Sequence, residues 1–596
     1  MYQNKALDRL TRSMRDLVLS WLDAAIEKEV KTQILQYLQT DPRCLVEGFS
    51  HTLAFGTSGF RALMGVGPAR MNVVTVRWIS QGLAHHVIKN RSNNKKIVIA
   101  FDNRKDSALF AKESAKVFAA SGIQVVLLQE LRPVPFLSFA VRELGCSAGV
   151  MITASHNPKE YNGYKIYGAD GGEIAPSQEK EIQRELDNID LLTGSKVASY
   201  ADPLIQVMDP KNLDQGYFAA MGKIQLFPEE DKKHGSEIEI VYSSLHGTGV
   251  TLTPMALSQW GFTHLHLVEE QCKIDPYFST VENPNPEHKE TYALGFAHLR
   301  KRGADLLLLN DGDADRIGVG LIDKGKERIL NGNEIAILCA YFLCSTRKLQ
   351  QRLPVRGIFI STNVTTELVR KIAAFFHVEY FEVHTGFKFI AEMIHMLEEK
   401  QPDMEFLFGV EESYGCLLGS YARDKDGVAS ACFFAEMALY CKRKGQTLID
   451  LLTDIYCQFG VFRERQHSLV FPDDHIGVAK REEIMGMLRK NPFLSLGKEK
   501  VLYIEDYEKG VREHIGSDKK EKLSLPKANT MLFRFSSGDK IVIRPSGTES
   551  KIRLHIEVQV ESRDSIEEAI KRGDRNIAML LQDLTEKLTG ERQNNG

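Results

Sequence analysis

Ser155 and His156 begin the stretch of sequence whose residue types are best suited to chemistry, and Lys165 follows ten residues after the serine. The apolar run before them, residues 147–152, predicts a strand that is buried on both faces. The chain then breaks into a loop at Pro158, so a hydroxyl group stands near an imidazole and an ammonium group. Such a set can accept and return a phosphoryl group. Ser, Asn and Pro are also common turn residues, so a plain turn fits the same letters equally well.

Three aspartates, Asp311, Asp313 and Asp315, stand at alternate positions directly after another predicted strand. The carboxyl ends of strands are where α/β sheets bind ligands, and three neighbouring carboxylates are costly unless a cation compensates them. An EF-hand is excluded, because its sixth and twelfth positions require Gly and Glu and are Arg316 and Ile322 here. Mg²⁺ fits better, since it keeps coordination positions open for phosphate oxygens. A capped turn without metal is the alternative.

Glu411 and Ser413 are two residues apart after a third predicted strand, so both side chains can face the same side of an extended loop. Glu411 can accept hydrogen bonds from neighbouring sugar hydroxyls, and Ser413 can donate or accept them. Taken alone, the pair is more simply interpreted as a helix N-terminal cap.

Two further loops combine small residues with cations. In residues 55–61 the backbone N–H groups can approach an anion, and Arg61 adds positive charge, although such a loop is weak evidence by itself. In residues 544–551, Arg544 offers a planar fork to phosphate. The hydroxyl and backbone donors that follow it are Ser546, Gly547 and Thr548. A hairpin turn is the alternative for this second loop.

Together these segments resemble the motifs of the α-D-phosphohexomutases, the phosphoglucomutase and phosphomannomutase superfamily. Thr-Ala-Ser-His-Asn-Pro at 153–158, with Tyr-Asn-Gly-Tyr-Lys at 161–165, resembles the phosphoserine loop of that family. Residues 56–61 look like its Gly-Thr-Ala-Gly-Leu-Arg segment, with Ser58 and Phe60 as departures. The resemblance extends in consistent order from about Phe55 to the C-terminal helix.

The later motifs carry the same resemblance. Residues 311–316 look like the Asp-x-Asp-x-Asp-Arg metal loop, and Glu-Glu-Ser at 411–413 resembles the sugar loop of the glucose-type branch. Residues 544–551 resemble the phosphate loop, although Ser550 stands where many relatives have proline. In the phosphomannomutase-like branch a histidine follows the sugar-loop serine by two positions, and here that position is Gly415. Lys165 is therefore the preferred candidate for handling the proton.

The resemblance implies a role for each matching residue. The catalytic residues would be Ser155, Lys165, Arg61 and His156. The ligands of the metal would be Ser155, Asp311, Asp313 and Asp315. The residues that bind substrate would be Thr57, Ser58, Arg316, Thr385, Gly386, Lys388, Glu411, Ser413, Arg544, Ser546, Gly547 and Thr548.

The function implied is that of a Mg²⁺-dependent phosphohexomutase that interconverts glucose 1-phosphate and glucose 6-phosphate, with mannose phosphates as further candidate substrates. Ser155 would carry the phosphoryl group, a hexose 1,6-bisphosphate would be the intermediate, and glucose 1,6-bisphosphate would be an activator. The same residues would serve a glucose 1,6-bisphosphate synthase or a phosphopentomutase. A non-catalytic sugar-phosphate sensor is the alternative from another class. Such a sensor could do without Ser155 and the three aspartates, but all four residues are present here.

The whole chain limits its partners. A net charge of −3, from 76 basic and 79 acidic residues, argues against a broad nucleic-acid or membrane surface. Nine cysteines without a Cys-x-x-Cys pair predict neither a disulfide framework nor a zinc site. The sequence shows neither a signal-peptide pattern nor a run of about 18 apolar residues. We therefore expect a cytoplasmic protein. The resemblance implies small hexose phosphates as partners, with the protein acting as a monomer or dimer.

The elements that must position these residues alternate between strand and helix, which predicts α/β units with parallel strands. The family resemblance implies three Rossmann-like α/β domains with mixed sheets and a smaller C-terminal α+β domain, arranged around a central active-site cleft. An N-terminal helical extension is predicted for residues 1–50, because helical spacing there places apolar residues on one face. The four domains are predicted at 51–203, 204–325, 326–455 and 456–596.

Overall fold

The computed structural model describes residues 10–56, 58–90, 95–472, 475–546, 550–561 and 565–590. These residues form two compact units. The first contains the described residues of Met1–Asn331 and Gly386–Lys442, and the second contains those of Gly332–Thr385 and Arg443–Gly596. Within the described ranges, no helix is both long enough and apolar enough to cross a membrane.

The first unit begins with three helices, α1 (Arg12–Asp23), α2 (Lys28–Thr40) and α3 (Arg43–Gly48). Thr11 caps α1, because its hydroxyl accepts a hydrogen bond from the Met14 N–H. Trp21 is fully buried, with its ring 5.4 Å from that of Phe49. These helices share a hydrophobic core with Val66, so the extension packs onto the domain that follows, as the helical spacing predicts.

The first sheet of this unit is mixed. Its strands, in their order across the sheet, are β1 (Phe60–Leu63), β5 (Tyr161–Gly168), β4 (Ala148–Ile152), β2 (Lys96–Phe101), β3 (Gln124–Leu128) and β6 (Ile205–Met208). The strands β4, β2, β3 and β6 are parallel, whereas β5 is antiparallel to both β4 and β1. Every residue of β4 is buried, which confirms the strand predicted from the apolar run. The helices of this domain are α4 (Val73–Lys89), α5 (Ser107–Ala120), α6 (Val134–Glu143) and α7 (Pro176–Asp187).

The second sheet has the same mixed character. Its order is β11 (Lys326–Leu330), β10 (Ile317–Asp323), β9 (Leu306–Asn310), β7 (Ile240–Ser243) and β8 (Leu265–Leu267). The strands β9, β7 and β8 are parallel, and β10 turns back antiparallel to β9. The helices are α8 (Lys211–Gly222), α9 (Pro228–His234), α10 (Thr253–Trp260) and α11 (Ala293–Arg302), and short 3-10 helices lie at Gly235–Glu237, Thr248–Thr251 and Lys289–Tyr292. In both sheets, a buried parallel strand therefore ends in a loop that reverses into an antiparallel strand.

The first unit is completed by four later elements. They are α14 (Phe387–Lys400), β14 (Glu405–Glu411), β15 (Gly415–Leu418) and α15 (Gly427–Arg443). The strands β14 and β15 form a tight hairpin, in which Glu411 and Gly415 are the last residues to face each other. The tip of the hairpin contains Ser413, and Tyr414 takes a positive φ of 67° to complete the turn.

The second unit combines an α/β segment with an antiparallel sheet. The α/β segment consists of α12 (Gly332–Leu349), β12 (Gly357–Thr362), α13 (Glu367–Phe375) and β13 (Glu379–Val383), and its two strands are parallel. The large sheet has the order β16 (Val461–Val470), β23 (Lys551–Val560), β22 (Lys540–Pro545), β21 (Met531–Phe535), β18 (Glu499–Asp506), β19 (Val511–His514) and β20 (Lys520–Lys522), with β17 (Ser495–Leu496) beside β18. The helices here are α16 (Leu448–Phe459), α17 (His475–Lys490) and α18 (Ile566–Thr589).

Neighbouring strands of this large sheet run antiparallel throughout the described residues. The strands β21 and β22 form a hairpin, β23 pairs with β22, and the chain continues into the C-terminal helix α18. The α/β class, with mixed sheets and an α+β C-terminal domain, is therefore confirmed.

Candidate active site

Ser155 lies in the loop that joins β4 to β5, residues 153–160, which we call the serine loop. Its side chain is buried, and its Oγ lies 3.1 Å from Oδ2 of Asp311 and 3.2 Å from Nδ1 of His156. The backbone at Ser155 has a positive φ of 51°, a conformation that residues other than glycine rarely adopt. Two loops that are far apart in sequence, each at the carboxyl end of a buried strand, are thus brought into contact.

Asp311, Asp313 and Asp315 lie in the loop between β9 and β10, residues 311–316, which we call the aspartate loop. All three are buried, and one carboxylate oxygen of each lies within 4.8 Å of those of the other two. Among the described residues, Oδ1 of Asp313 and Oδ1 of Asp315 find no hydrogen-bond partner. Burial, followed by repulsion from Asp315 and Asp313, raises the pKa of Asp311 well above its ordinary value.

These residues fit a divalent metal ion. Buried, unpaired carboxylate oxygens are costly alone, and they are the hard donors that Mg²⁺ and similar cations prefer. Oγ of Ser155 would add a further oxygen, since it lies 3.1 Å from Asp311. The predicted metal ligands are therefore close enough together to share one ion.

Lys165 lies on β5 and contacts the same carboxylates. Its Nζ is 3.1 Å from Oδ2 of Asp313 and 3.4 Å from Oδ2 of Asp315. Burial opposes the charge of the lysine, but the carboxylates of Asp313 and Asp315 outweigh burial and raise its pKa. In this arrangement Lys165 is a fixed cation that partly neutralises the aspartate loop.

Lys425 is a second buried ammonium group, and sequence reasoning missed it. Its Nζ lies 3.1 Å from Oδ1 of Asp424, 3.4 Å from Oδ2 of Asp315 and 3.9 Å from Oε2 of Glu411. It therefore connects the aspartate loop to the predicted sugar-binding hairpin. A signal was present, because four consecutive charged residues, 423–426, precede Gly427 and an apolar helix.

The segment that carries Lys425 is anchored on both sides of the lysine. The Tyr167 hydroxyl donates to Oδ2 of Asp424 at 2.8 Å, and the Tyr217 hydroxyl donates to Oδ2 of Asp426 at 2.6 Å. Both carboxylates are buried, so these hydrogen bonds also offset the cost of removing them from water. The position of Lys425 is thereby fixed relative to the first sheet.

Glu411 ends β14, and Ser413 lies at the tip of the hairpin. Glu411 is buried, whereas Ser413 is half-buried. Burial is the main reason that the pKa of Glu411 is raised to about 7, although Lys425 works in the opposite direction. The sequence placed both residues in an extended loop, but Glu411 belongs to the strand and only Ser413 to the turn.

Arg61, Ser58 and Thr57 come from the segment predicted as the first anion-binding loop. Arg61 is in β1 rather than in the predicted loop, and its Nη1 donates to Oδ1 of Asn157 at 2.6 Å. The Ser58 hydroxyl donates to the Glu173 carboxylate. Thr57 lies outside the described residues.

His156 and Arg316 belong to the same surroundings. Burial, and then the positive charges of Arg316 and Arg61, lower the pKa of His156 well below its ordinary value. Arg316 donates its backbone N–H to Oδ1 of Asp311 at 3.1 Å and pairs with Glu287 at 2.6 Å. The aspartate loop is therefore closed at its last residue by a hydrogen bond to its first.

Lys388, predicted to bind substrate, lies in the first turn of α14, and its Nζ pairs with Oε1 of Glu179 at 2.8 Å. Gly386 precedes that helix with a φ of 125°, which only glycine adopts readily. Thr385 belongs to the second unit.

The predicted phosphate-binding loop that begins at Arg544 belongs to the second unit. Arg544 on β22 faces Arg553 on β23, so two guanidinium groups stand on neighbouring strands. The Ser546 N–H donates to the Lys551 carbonyl at 2.8 Å, and Nη1 of Arg481 donates to the Ser546 carbonyl at 2.8 Å. Gly547 and Thr548, which complete the predicted loop, lie outside the described residues. The described part is a cationic turn suited to an anion.

Three family models match the chain. They are the phosphoglucomutase/phosphomannomutase alpha/beta/alpha domain I over residues 52–193, domain II over residues 215–324 and domain III over residues 331–459. Together they span more than half of the sequence, and they include the serine loop, the aspartate loop and Glu411.

Individual proteins match over most of their length. A phosphoglucomutase of Staphylococcus aureus (strain MSSA476) is 36% identical over 559 residues, which cover 92% of this chain and 97% of the relative. A phosphoglucomutase of Staphylococcus haemolyticus is 35% identical and covers 88% of this chain and 93% of the relative.

Solved structures show the same fold. A putative phosphomannomutase from Thermus thermophilus superposes with a TM-score of 0.63 at 22% identity, covering 89% of this chain and 99% of that one. The open form of pp63/parafusin, a phosphoglucomutase from Paramecium, superposes with a TM-score of 0.65 at 17% identity, covering 91% and 97%.

Proposed function

Since the chain belongs to the phosphoglucomutase/phosphomannomutase family, we propose that it interconverts glucose 1-phosphate and glucose 6-phosphate through a phosphoserine at Ser155. It is an enzyme, a hexose-phosphate mutase of the isomerase class. The single observation that carries the proposed route is the contact at 3.1 Å between the Ser155 hydroxyl and the buried aspartate triad. The choice of glucose is supported by the phosphoglucomutase names of the relatives at 36% and 35% identity.

We assign the metal as Mg²⁺, held by Asp311, Asp313, Asp315 and the oxygen on Ser155. When bound, it would neutralise charge on the phosphoryl group in transfer, which is the main demand of this chemistry. The residues around it act by position and charge. Lys165 and Lys425 keep two ammonium groups beside the carboxylates, and Nδ1 of His156 lies 3.2 Å from the serine Oγ.

The sugar and its phosphate would be bound by separate groups. Glu411 and Ser413 would hold hydroxyl groups of the hexose, because a carboxylate and a hydroxyl together accept and donate hydrogen bonds. The turn at Arg544 and Ser546, with Gly547 and Thr548, would bind a phosphate of the substrate. Glucose 1,6-bisphosphate would be the intermediate, and as an activator it would supply the phosphoryl group to an unphosphorylated Ser155.

Coupled assays test the proposal directly. Glucose 1-phosphate, mannose 1-phosphate and ribose 1-phosphate are each supplied with Mg²⁺, with and without glucose 1,6-bisphosphate. We expect the largest kcat/KM for glucose 1-phosphate and stimulation by the bisphosphate. A preference for ribose 1-phosphate would make the protein a phosphopentomutase, and net formation of bisphosphate from another phosphoryl donor would make it a synthase.

Ser155→Ala is the matched variant for these assays. It should abolish turnover and incorporation of phosphate, detected by intact mass, while far-ultraviolet circular dichroism stays unchanged. Retention of more than a few per cent of wild-type turnover in this variant would refute the phosphoserine route.

A further inference from the structure

We propose that Arg104 is a positioning residue that holds Ser155 in its reactive conformation, an inference that rests on the proposed phosphoserine route. Arg104 lies just after β2, outside every motif singled out in the sequence. Its Nη2 donates to the carbonyl oxygens of Ser155 at 2.7 Å and Asn157 at 2.6 Å. Its Nη1 donates to those of Pro158 at 2.7 Å and Tyr161 at 3.1 Å. One planar guanidinium group thus joins four carbonyl groups of the serine loop and the start of β5.

The guanidinium group is itself held by the end of β2. Nε of Arg104 forms an ion pair with Oδ2 of Asp102 at 3.3 Å, and both side chains are fully buried. The other oxygen of Asp102 accepts from the Arg104 N–H at 2.9 Å and from the Ser107 hydroxyl at 2.7 Å. Because β2 and β4 are parallel neighbours, Arg104 and the serine loop leave the sheet at the same edge.

The second domain covers the other side of this group. The Phe278 ring lies 5.0 Å from the guanidinium carbon of Arg104, a distance typical of a cation–π contact. Beside it, Nδ2 of Asn103 donates to the Asp275 carbonyl at 2.9 Å. Arg104 therefore lies between the carboxylate of Asp102, the ring of Phe278 and the carbonyls of the serine loop.

The conformation of Ser155 explains why such a support is needed. With a φ of 51°, Ser155 is in the left-handed region, which a non-glycine residue keeps only when its surroundings impose it. The carbonyl of Ser155 also lies close to the aspartate loop, because a Cβ placed on Gly312 would lie 2.7 Å from its oxygen. The bond from Arg104 to this carbonyl fixes the peptide plane next to Ser155, and with it the direction of Oγ toward Asp311.

Arg104→Lys is the variant that separates positioning from charge. It retains the positive charge beside Asp102, but one ammonium group cannot replace a planar fork that bridges four carbonyls. Since a misplacement of about 1 Å can cost about 100-fold in rate, we expect kcat to fall about 100-fold while KM stays within about threefold. Phosphorylation of Ser155 by glucose 1,6-bisphosphate, which leaves a glucose monophosphate, should slow by a similar factor in single-turnover intact-mass measurements.

Arg77→Lys is the matched control. Arg77 is another mostly buried arginine of the same domain and pairs with Glu113 and Glu27, away from the serine loop. The Arg77→Lys variant should keep wild-type kcat.

A merely structural role for Arg104 would lower the thermal midpoint and the yield of folded protein but leave kcat per folded molecule unchanged. Folded Arg104→Lys with wild-type kcat and wild-type phosphorylation rate would overturn the proposal.

Phe278→Leu covers the case in which Arg104→Lys does not fold. It keeps an apolar side chain but removes the ring over the guanidinium, so kcat should fall about three- to tenfold without a change in KM, and an unchanged kcat would overturn the proposal. Failure of the proposed function would look different. In that case the wild-type protein itself would show no mutase turnover and accept no phosphate at Ser155, whatever residue stands at position 104.

Discussion

Lys425 occupies the space that a side chain at position 415 would need. A Cβ added to Gly415 would lie 2.1 Å from Cδ of Lys425 and 2.8 Å from its Cγ. The absence of a side chain at position 415 thus leaves room for an ammonium group between Asp315 and Glu411. The positive charge at this point of the site comes from a different part of the chain.

Gly415→Ala should therefore behave like the loss of Lys425. We expect each of Gly415→Ala and Lys425→Met to lower kcat/KM at least about tenfold, because both remove the ammonium group from the carboxylates. In the double variant the second change should cost little more, since residues that share one interaction are not additive. Steady-state kinetics of the four proteins measures this coupling.

Gly222→Ala is the control for a glycine replacement, because a Cβ at that position meets no atom within 4 Å. It should retain full activity. Full activity of Gly415→Ala would show that Lys425 does not depend on the space at position 415. The same conclusion would follow if the loss of the double variant equalled the sum of the losses of the two single variants.

Glu411 should make stability depend on pH. Its pKa is raised from 4.5 to about 7, so between these values the folded state holds a proton that the unfolded state has lost. This contribution is on the order of 3 kcal/mol, is fully present below about pH 4.5 and is lost as the pH rises to about 7. The wild-type thermal midpoint should therefore fall relative to that of Glu411→Gln over this range.

Glu405→Gln, at the exposed start of the same strand, is the control and should show no such trend against wild type. A midpoint difference between wild type and Glu411→Gln that stays constant from pH 4.5 to pH 8 would contradict the raised pKa.

Replacing any one of Asp311, Asp313 and Asp315 by Asn should weaken the metal site. Each change removes one negative charge from a buried three-carboxylate cluster, so half-maximal activity should require more Mg²⁺. Titration of chelated enzyme with Mg²⁺ measures the shift, and Asp323→Asn at the far end of β10 provides the control. Full activity of all three variants in excess chelator would rule out a metal role for the triad.

Arg544→Ala should lose on the order of 10² to 10⁴ in kcat/KM, because two charge-assisted hydrogen bonds to phosphate contribute about 1.5 to 3 kcal/mol each. Some of the loss should appear in kcat, since binding energy away from the reacting group also orients it. The variant should still accept phosphate at Ser155 from concentrated glucose 1,6-bisphosphate, as intact mass would show. Arg512→Ala, on β19 of the same sheet, is the control and should keep nearly wild-type kcat/KM. Unchanged kinetics of Arg544→Ala would show that the phosphate is bound by other residues.

The contact between Ser155 and Asp311 was the part of the site most open to sequence reasoning. Both residues follow apolar runs that could only be buried strands, and strand ends are where such sheets expose reactive groups. The strand and helix alternation came from periodicity, whereas the mixed sheets and the smaller α+β last domain were implied by the family resemblance.

Arg104 could not be found in this way, and Lys425 was missed although the charged run 423–426 before an apolar helix marked its position. Each acts through groups that are distant in sequence, the carbonyls of the serine loop for Arg104 and the carboxylates of Asp315 and Glu411 for Lys425. No local spacing encodes such contacts. An element boundary was also missed where tertiary pairing extends a strand, as at Arg61 in β1.

The antiparallel pairing of β4 with β5, the strands before and after the serine loop, fixes which of their residues face each other. Met151 lies opposite Lys165, and Ile152 lies opposite Tyr164. A slip of β5 by one residue would turn Lys165 to the other face of the sheet and bring an uncharged neighbour to the aspartate loop. The backbone register therefore holds Lys165 at the aspartate loop, and related sequences that keep Ser155 and Lys165 in these roles should keep the pairing of Met151 with Lys165 even where the letters of the serine loop change.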